Sequence, residues 1–400
     1  MSKSNILPIN FLLVCTVFAY FIINNGGTFR YTGTLFIVLS ITIFFYIFFT
    51  TRVEIPSNIF VVFMLLTCII AVIPLDFEYS QTYTLINIYI LTVLYFFSVY
   101  VSQSDGCTRD STDILDGILY ILLFVTSVFH IINSLNADSQ YVIFPAIGDV
   151  NYTAVFIFMI FMIANKKKYI SGIILAFLYG IYISTSRSFL LLMLLFYGVK
   201  LVKYLGSKNR LHIREHFPVN KKVYLFLGVV VLLGASIIFS YIWVYYVSNT
   251  GYVDHREGLN DVSNRMRFVS LVHAIEMIRE DPQLFFWGCG SDLFDALGVY
   301  SDGTLPVYMG VRVVQPHNSL ISLLLKLGVV PALLYFFLLC GLVALHFKKE
   351  NLEYIIPYVI NAMIMHSFFE RGWLIFWIYI LIMTEKRSGW MKTKKKKRFI

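Results

Sequence analysis

Apolar runs of about 17 to 25 residues recur along almost the whole chain, each long enough to cross roughly 30 Å of hydrocarbon as a helix. Runs of this length restrict the chain to an all-α integral membrane fold. The spans fall at residues 6–23, 33–50, 57–74, 84–101, 114–132, 151–164, 169–184, 188–202, 223–247, 319–345, 354–368 and 372–384, which makes about twelve transmembrane helices. Composition agrees: 58% of the 400 residues are hydrophobic and only 14% charged, with a mean hydropathy of +0.75, which excludes a soluble domain of ordinary surface. The connecting stretches "NNGGTFR", "PLDFEYSQ", "SQSDGCTRDSTD" and "NADSQ" carry the Gly, Asn, Asp and Ser that make turns. Residues 1–400 read as a single polytopic membrane domain.

The first run, preceded only by Lys3, lacks a small-x-small cleavage pattern and reads as a retained helix. Cys15, Cys68 and Cys340 lie inside apolar runs while Cys107 and Cys289 fall in different loops, so neither a disulfide framework nor a metal-ligand spacing is expected. Lysine and arginine resist translocation. An inside N-terminus puts Lys3, Arg52, Arg109, Lys166 to Lys168, the stretch from Lys200 to Lys222, Lys348, Lys349 and the basic tail 385–400 on the cytoplasmic side together, with both termini inside. The net charge of +9 is then a topology anchor against anionic lipid rather than a nucleic-acid surface.

Residues 248–316, between the ninth and tenth spans, form one large outward loop, and loops of that size tend to be functional. Within it "NRMRFVSLVHAIEMIRED" places Phe268, Leu271, Val272, Ile275 and Ile278 at helical spacing. Pro282 ends that helix, and "FFWGCGSD" reads as a tight glycine-rich turn bearing interfacial aromatics. Arg265 and Arg267 sit at the helix start, where cations are disfavoured and anions favoured; they serve either a bound anion or solvent. Asp149, before the sixth span, reads as a helix cap, with orientation of a catalytic group as its alternative.

In "QPHNSL", Pro316 holds Gln315 extended and Asn318 caps a helix that starts at Ser319. His317 therefore stands at a helix N-terminus, where the dipole disfavours imidazolium and leaves a neutral ring able to accept a proton. The alternative is a hydrogen-bonded interfacial histidine. On the same outward side lie Arg187 in "STSRSFLLL", Arg312, and Glu370 with Arg371 in "FFERGW". Arginine presents a planar fork of donors suited to phosphate, so the set fits a lipid-linked diphosphate; local pairing with carboxylates or headgroups is the other reading.

The stretch "HNSLISLLLKLGVV", with His317, Asn318 and Gly328, resembles the signature of the O-antigen ligase and O-antigen polymerase superfamily, and Pro331 departs from it at the last position. "GDVNYTA", the "SRS" after the seventh span and "NRMRF...EDPQLFFWGCGSDLF" are similar to that superfamily too, so the likeness covers roughly residues 145–380. The resemblance implies a type C glycosyltransferase architecture in the bacterial inner membrane. It further implies an inverting, metal-independent transferase without a cofactor, using undecaprenyl-pyrophosphate-linked oligosaccharide at the periplasmic face. Position by position it makes His317 the base, Arg187 the arginine after the seventh span and Arg265 the one opening the loop helix. Arg267, Arg312 and Arg371 are added on charge and topology alone. The polymerase is preferred on composition, over a ligase acting on lipid A core and over a transporter or lipid flippase. Partners are the lipid-linked glycan, membrane lipids and, left open, a chain-length regulator.

Overall fold

The computed structural model describes residues 7–19, 21, 37–43, 46, 80–103, 109–136, 150–182, 187–208, 221–250, 262–290, 307–309, 311–313, 316–365, 368–369 and 372–382. The helices are α1 (Leu7–Phe18), α2 (Ser80–Gln103), α3 (Arg109–Asn136), α4 (Val150–Lys167), α5 (Ile170–Tyr182), α6 (Arg187–Lys208), α7 (Lys221–Thr250), α8 (Val262–Glu280) and α9 (Pro282–Trp287). After a short antiparallel hairpin, β1 (Val307–Tyr308) and β2 (Val311–Arg312), come α10 (Ser319–Leu327), α11 (Val329–His346), α12 (Leu352–Ala362) and α13 (Gly372–Ile382).

Among the described residues, five helices are long and apolar enough to cross a membrane: they contain Thr84–Val101, Asp113–Ser134, Ser188–Gly206, Val223–Tyr246 and Val329–His346. Pro8–Phe18, Ile170–Gly180 and Gly372–Ile382 are apolar but shorter. The expected span 57–74 lies outside the described residues. So does most of 33–50, where the Ser40 hydroxyl meets that of Tyr89 at 2.7 Å.

A helix that is apolar all round belongs in the interior. α4 is that helix, buried from Tyr152 to Ala164 and packed on α3, α5 and α6. α7 is its opposite: only 6% of its Val223–Tyr246 window is buried, and its remaining surface of Val, Leu, Ile, Phe and Tyr suits lipid.

Polar contacts gather at the two ends of the bundle. At one end Asp116, 2% exposed, accepts hydrogen bonds from Asn10 in α1 (3.0 Å), Lys167 in α4 (2.9 Å) and Tyr379 in α13 (2.6 Å). A buried carboxylate is costly unless it is paired and hydrogen-bonded, and this one ties four helices together. Nearby, Asn165 donates to the Tyr354 hydroxyl and accepts from Lys200, Lys203 pairs with Glu353, and His346 meets Ser98. This end holds the lysines that the charge rule assigns to the cytoplasm.

At the other end the start of α4 meets the turn after α12, where Tyr152 stacks on Phe368 at 5.3 Å. Buried hydroxyls satisfy that turn's backbone. Ser319 donates to the Met365 carbonyl (2.6 Å) and accepts from the Phe368 N–H (3.1 Å), Tyr335 donates to the Phe369 carbonyl (2.5 Å), and Tyr358 to that of Phe368 (2.5 Å).

The expected single span 319–345 is corrected: it is two helices, α10 and α11, broken at Gly328. Gly328 has φ 75° and ψ 167°, a left-handed extended conformation that only glycine adopts cheaply. Pro331 stands in the first turn of α11, where a missing N–H is no loss. In a continuous helix Ser319 and Tyr335 would lie about 24 Å apart along the axis; here both reach neighbouring residues of one turn, so α10 bends sharply toward α11.

The break is held by a second glycine turn. The N–H groups of Cys289 and Gly290 donate to the Leu325 and Lys326 carbonyls at the end of α10, at 3.0 and 2.9 Å. Gly288, with φ 73°, lies back to back with Gly328: a Cβ on Gly288 would strike the Lys326 carbonyl, and one on Gly328 the Phe286 carbonyl. Gly328→Ala therefore combines backbone strain with a collision and should cost more than about 2 kcal/mol. The expected readout is a lower melting temperature in detergent, and an unchanged melt would mean that the two turns do not touch.

Candidate functional site

Asn318 is the N-cap of α10; it is fully buried and its Oδ1 accepts from the Leu320 and Ile321 N–H groups at 3.0 and 3.2 Å. The Asn318 N–H in turn donates to the Pro316 carbonyl (2.9 Å), closing the tight bend that presents His317. Capping uses the donors that would otherwise be left over at the helix start, and it fixes the backbone on either side of the imidazole.

His317 is half-buried, and its pKa is pushed from 6.5 down to about 4, first by burial and second by the Arg267 guanidinium. The ring is therefore neutral at physiological pH, with a cation in electrostatic reach. A neutral imidazole can take a proton, and a guanidinium beside it can hold an anion.

Arg267 comes from α8, whose Leu271, Val272, Ala274 and Ile278 are buried. α8 packs on α7, α9 and α10; Phe268, at its start, lies 4.6 Å from the Trp243 ring of α7. It ends at Glu280. Asp281 then caps α9 by accepting from the Gln283 and Leu284 N–H groups, with Pro282 as the first helical residue. The aromatics of the "FFWGCG" stretch thus belong to α9, where Phe285, Phe286 and Trp287 are exposed, while the glycine turn follows them.

The hairpin lies against the same helix. Arg265 donates to the Met309 carbonyl at 3.2 Å, and the Tyr308 hydroxyl donates to Glu276, while its ring lies edge-on to His273 at 4.8 Å. Val313, fully buried just after the hairpin, shares one apolar cluster with Leu271 and Ile278 of α8 and with Ile321 and Leu325 of α10. The loop helix, the hairpin and the histidine are one connected unit.

Of the residues singled out in the sequence, His317, Asn318 and Arg267 come together, and Arg265 is engaged by the hairpin tip two residues along α8. Arg312 lies in β2, paired in register with Val307, and Arg187 begins α6; the side chains of both fall outside the described residues. Arg371, Glu370 and Asp149 also fall outside them. The preceding Phe368 and Phe369 are strapped to Ser319 and Tyr335, beside the start of α10. Sequence reasoning missed these straps and the Tyr308–Glu276 latch. A serine directly after a capping asparagine was the available sign of the first; the latch joins distant residues and leaves no local sign.

Comparisons with protein families, with curated proteins and with solved structures find no match for this chain.

Because the folded-state pKa of His317 lies below its unfolded value, its neutral form adds stability that is present above about pH 6.5 and lost as pH falls toward about 4. NMR titration of ring-labelled His317 should show a neutral imidazole down to about pH 4. Arg267→Gln should raise that midpoint only in part, since burial is the larger cause. A midpoint near 6.5 in the unaltered protein would place His317 in open solvent.

Proposed function

We propose that the chain is a membrane glycosyltransferase that polymerises surface polysaccharide (O-antigen) repeat units, moving an undecaprenyl-pyrophosphate-linked glycan onto a second lipid-linked repeat unit at the periplasmic face. The observation that carries this reading is the neutral His317 at a capped helix start with the Arg267 guanidinium beside it. The likeness of the "HNSLISLLLKLGVV" stretch to the O-antigen ligase and polymerase superfamily supports it.

In this mechanism His317 accepts the proton of an acceptor sugar hydroxyl as that oxygen bonds to the anomeric carbon of the donor. The bond from that carbon to the pyrophosphate oxygen breaks on the opposite face, so the configuration inverts, and the electron pair leaves on undecaprenyl pyrophosphate. Arg267 and Arg265 hold the leaving anion, with Arg187, Arg312 and Arg371 as further cations for the same charge. A base with a pKa near 4 is weak in the empty site. An incoming anion offsets the Arg267 charge and raises the basicity of His317 when substrate is bound.

The test is a gel of surface glycolipid from a deletion strain carrying either the normal gene or His317→Ala. A polymerase leaves core with a single repeat unit and no ladder, and the alanine form should lose about two to four orders of magnitude in rate. A ligase instead leaves bare core while undecaprenyl-linked polymer accumulates. One feature favours a transport reading, the discontinuous α10–α11 pair, because half-helix starts are common substrate sites in transporters. Transport predicts that single repeat units accumulate on the lipid carrier in the cytoplasmic leaflet. Full ladders with His317→Ala would remove His317 as the base.

A further inference from the structure

The end of the bundle opposite His317 carries an open groove of about 440 Å³ between α3 and the turn that joins α4 to α5. Gly117, Tyr120 and Ile121 form one wall, and Lys168, Tyr169, Ile170 and Ser171 the other. Its lining is mixed. Lys168 is exposed, the Tyr120 and Ser171 hydroxyls meet at 2.7 Å and the Tyr120 and Tyr169 rings lie 4.6 Å apart. Ile121 and Ile170 are 58% and 71% exposed, so part of the lining is bare apolar surface.

Lys168 has φ 62°, in the left-handed region. A side chain there is strained, and glycine is the residue that fits such a two-residue turn without cost. The neighbouring Lys167 is bound to Asp113 and Asp116 at 2.6 and 2.9 Å, so those two carboxylates are already engaged. The Tyr169 N–H donates to the Ala164 carbonyl at 2.8 Å, so Lys168 closes the end of α4 in this conformation, and the same turn lines the groove.

We propose that this groove binds a phosphate-bearing membrane lipid. The Lys168 ammonium pairs with the headgroup phosphate, the one proton left over from the Tyr120–Ser171 hydroxyl pair is donated to a phosphate oxygen, and an acyl chain lies over Ile121 and Ile170. A cation, a hydroxyl pair and exposed isoleucines in one groove at the basic end of a membrane bundle match a phosphate headgroup and the acyl chain it carries. Nothing in this site depends on the glycan chemistry assigned to the opposite end.

The experiment is native mass spectrometry of the full chain in detergent, titrated with phosphatidylglycerol, on the unaltered protein and on Lys168→Gly and Gly117→Leu. Lys168→Gly removes the cation while relieving the strained turn, so its melting temperature should not fall. Leucine at 117 fills the groove, and the nearest atom to its Cβ is the Tyr169 hydroxyl at 4.0 Å. One tightly held lipid is expected on the unaltered protein, with its occupancy about fivefold lower in Lys168→Gly, the effect of one interfacial lysine, and lost in Gly117→Leu. Equal lipid retention in all three proteins overturns the proposal. Displacement of the lipid by millimolar inorganic phosphate overturns it too, since the occupant would then be a soluble anion.

Discussion

Inside a membrane protein every buried carbonyl needs a donor from the chain itself, and the break at Gly328 exposes such carbonyls at the end of α10. Leu325 and Lys326 are answered by the N–H groups of Cys289 and Gly290, which come from the large loop between α7 and α10. This exchange makes the loop part of the bundle. It draws α9 and α8 against α10, and α8 carries Arg267 to the imidazole that starts the same short helix. Were residues 319–345 one straight helix, the loop would have no carbonyls to satisfy. The site depends on the helix being interrupted.

The two ends of the bundle use polar groups differently. Around Asp116 every hydrogen-bond partner is a neighbouring helix, and the ion pair with Lys167 closes a charge that would be intolerable alone. At the His317 end the bonds run mostly to backbone: the hydroxyls of Ser319, Tyr335 and Tyr358 hold a turn, Asn318 caps a helix and Arg265 grips a carbonyl. Bonds to backbone fix where a chain segment lies without using its side chains. Such a frame leaves functional groups to be aimed by the backbone that bears them.

The helical membrane class was legible in the sequence, because runs such as 84–101 and 223–247 are long, apolar and free of charge. So were the Asn318 cap and the end of α8 before Pro282, which are local events with local signals. The break at Gly328 was only half legible: Gly328 followed by Pro331 is a local stop signal, but "KLGVVPALL" stays apolar through the bend, and the close contact with Gly288 is a long-range event. The tie from Arg265 to Met309 is hidden in the same way. A residue read from the start of α8 as serving either a bound anion or solvent has a structural bond to a hairpin far along the chain.

The contrast between α4 and α7 bears on how the chain reaches its membrane. A segment leaves the translocon for lipid when its own side chains favour the move. α7 meets that condition alone: its Val223–Tyr246 stretch is apolar throughout and only 6% of that window is buried, so its own hydrophobicity suffices for insertion. α4 begins with Asn151, Tyr152 and Thr153 and ends in Asn165, Lys166 and Lys167, whose partners lie on α6, α12 and α3. It lies in the interior of the bundle as a client of its neighbours, so its place in the membrane depends on helix association, whereas α7 carries its own driving force toward lipid.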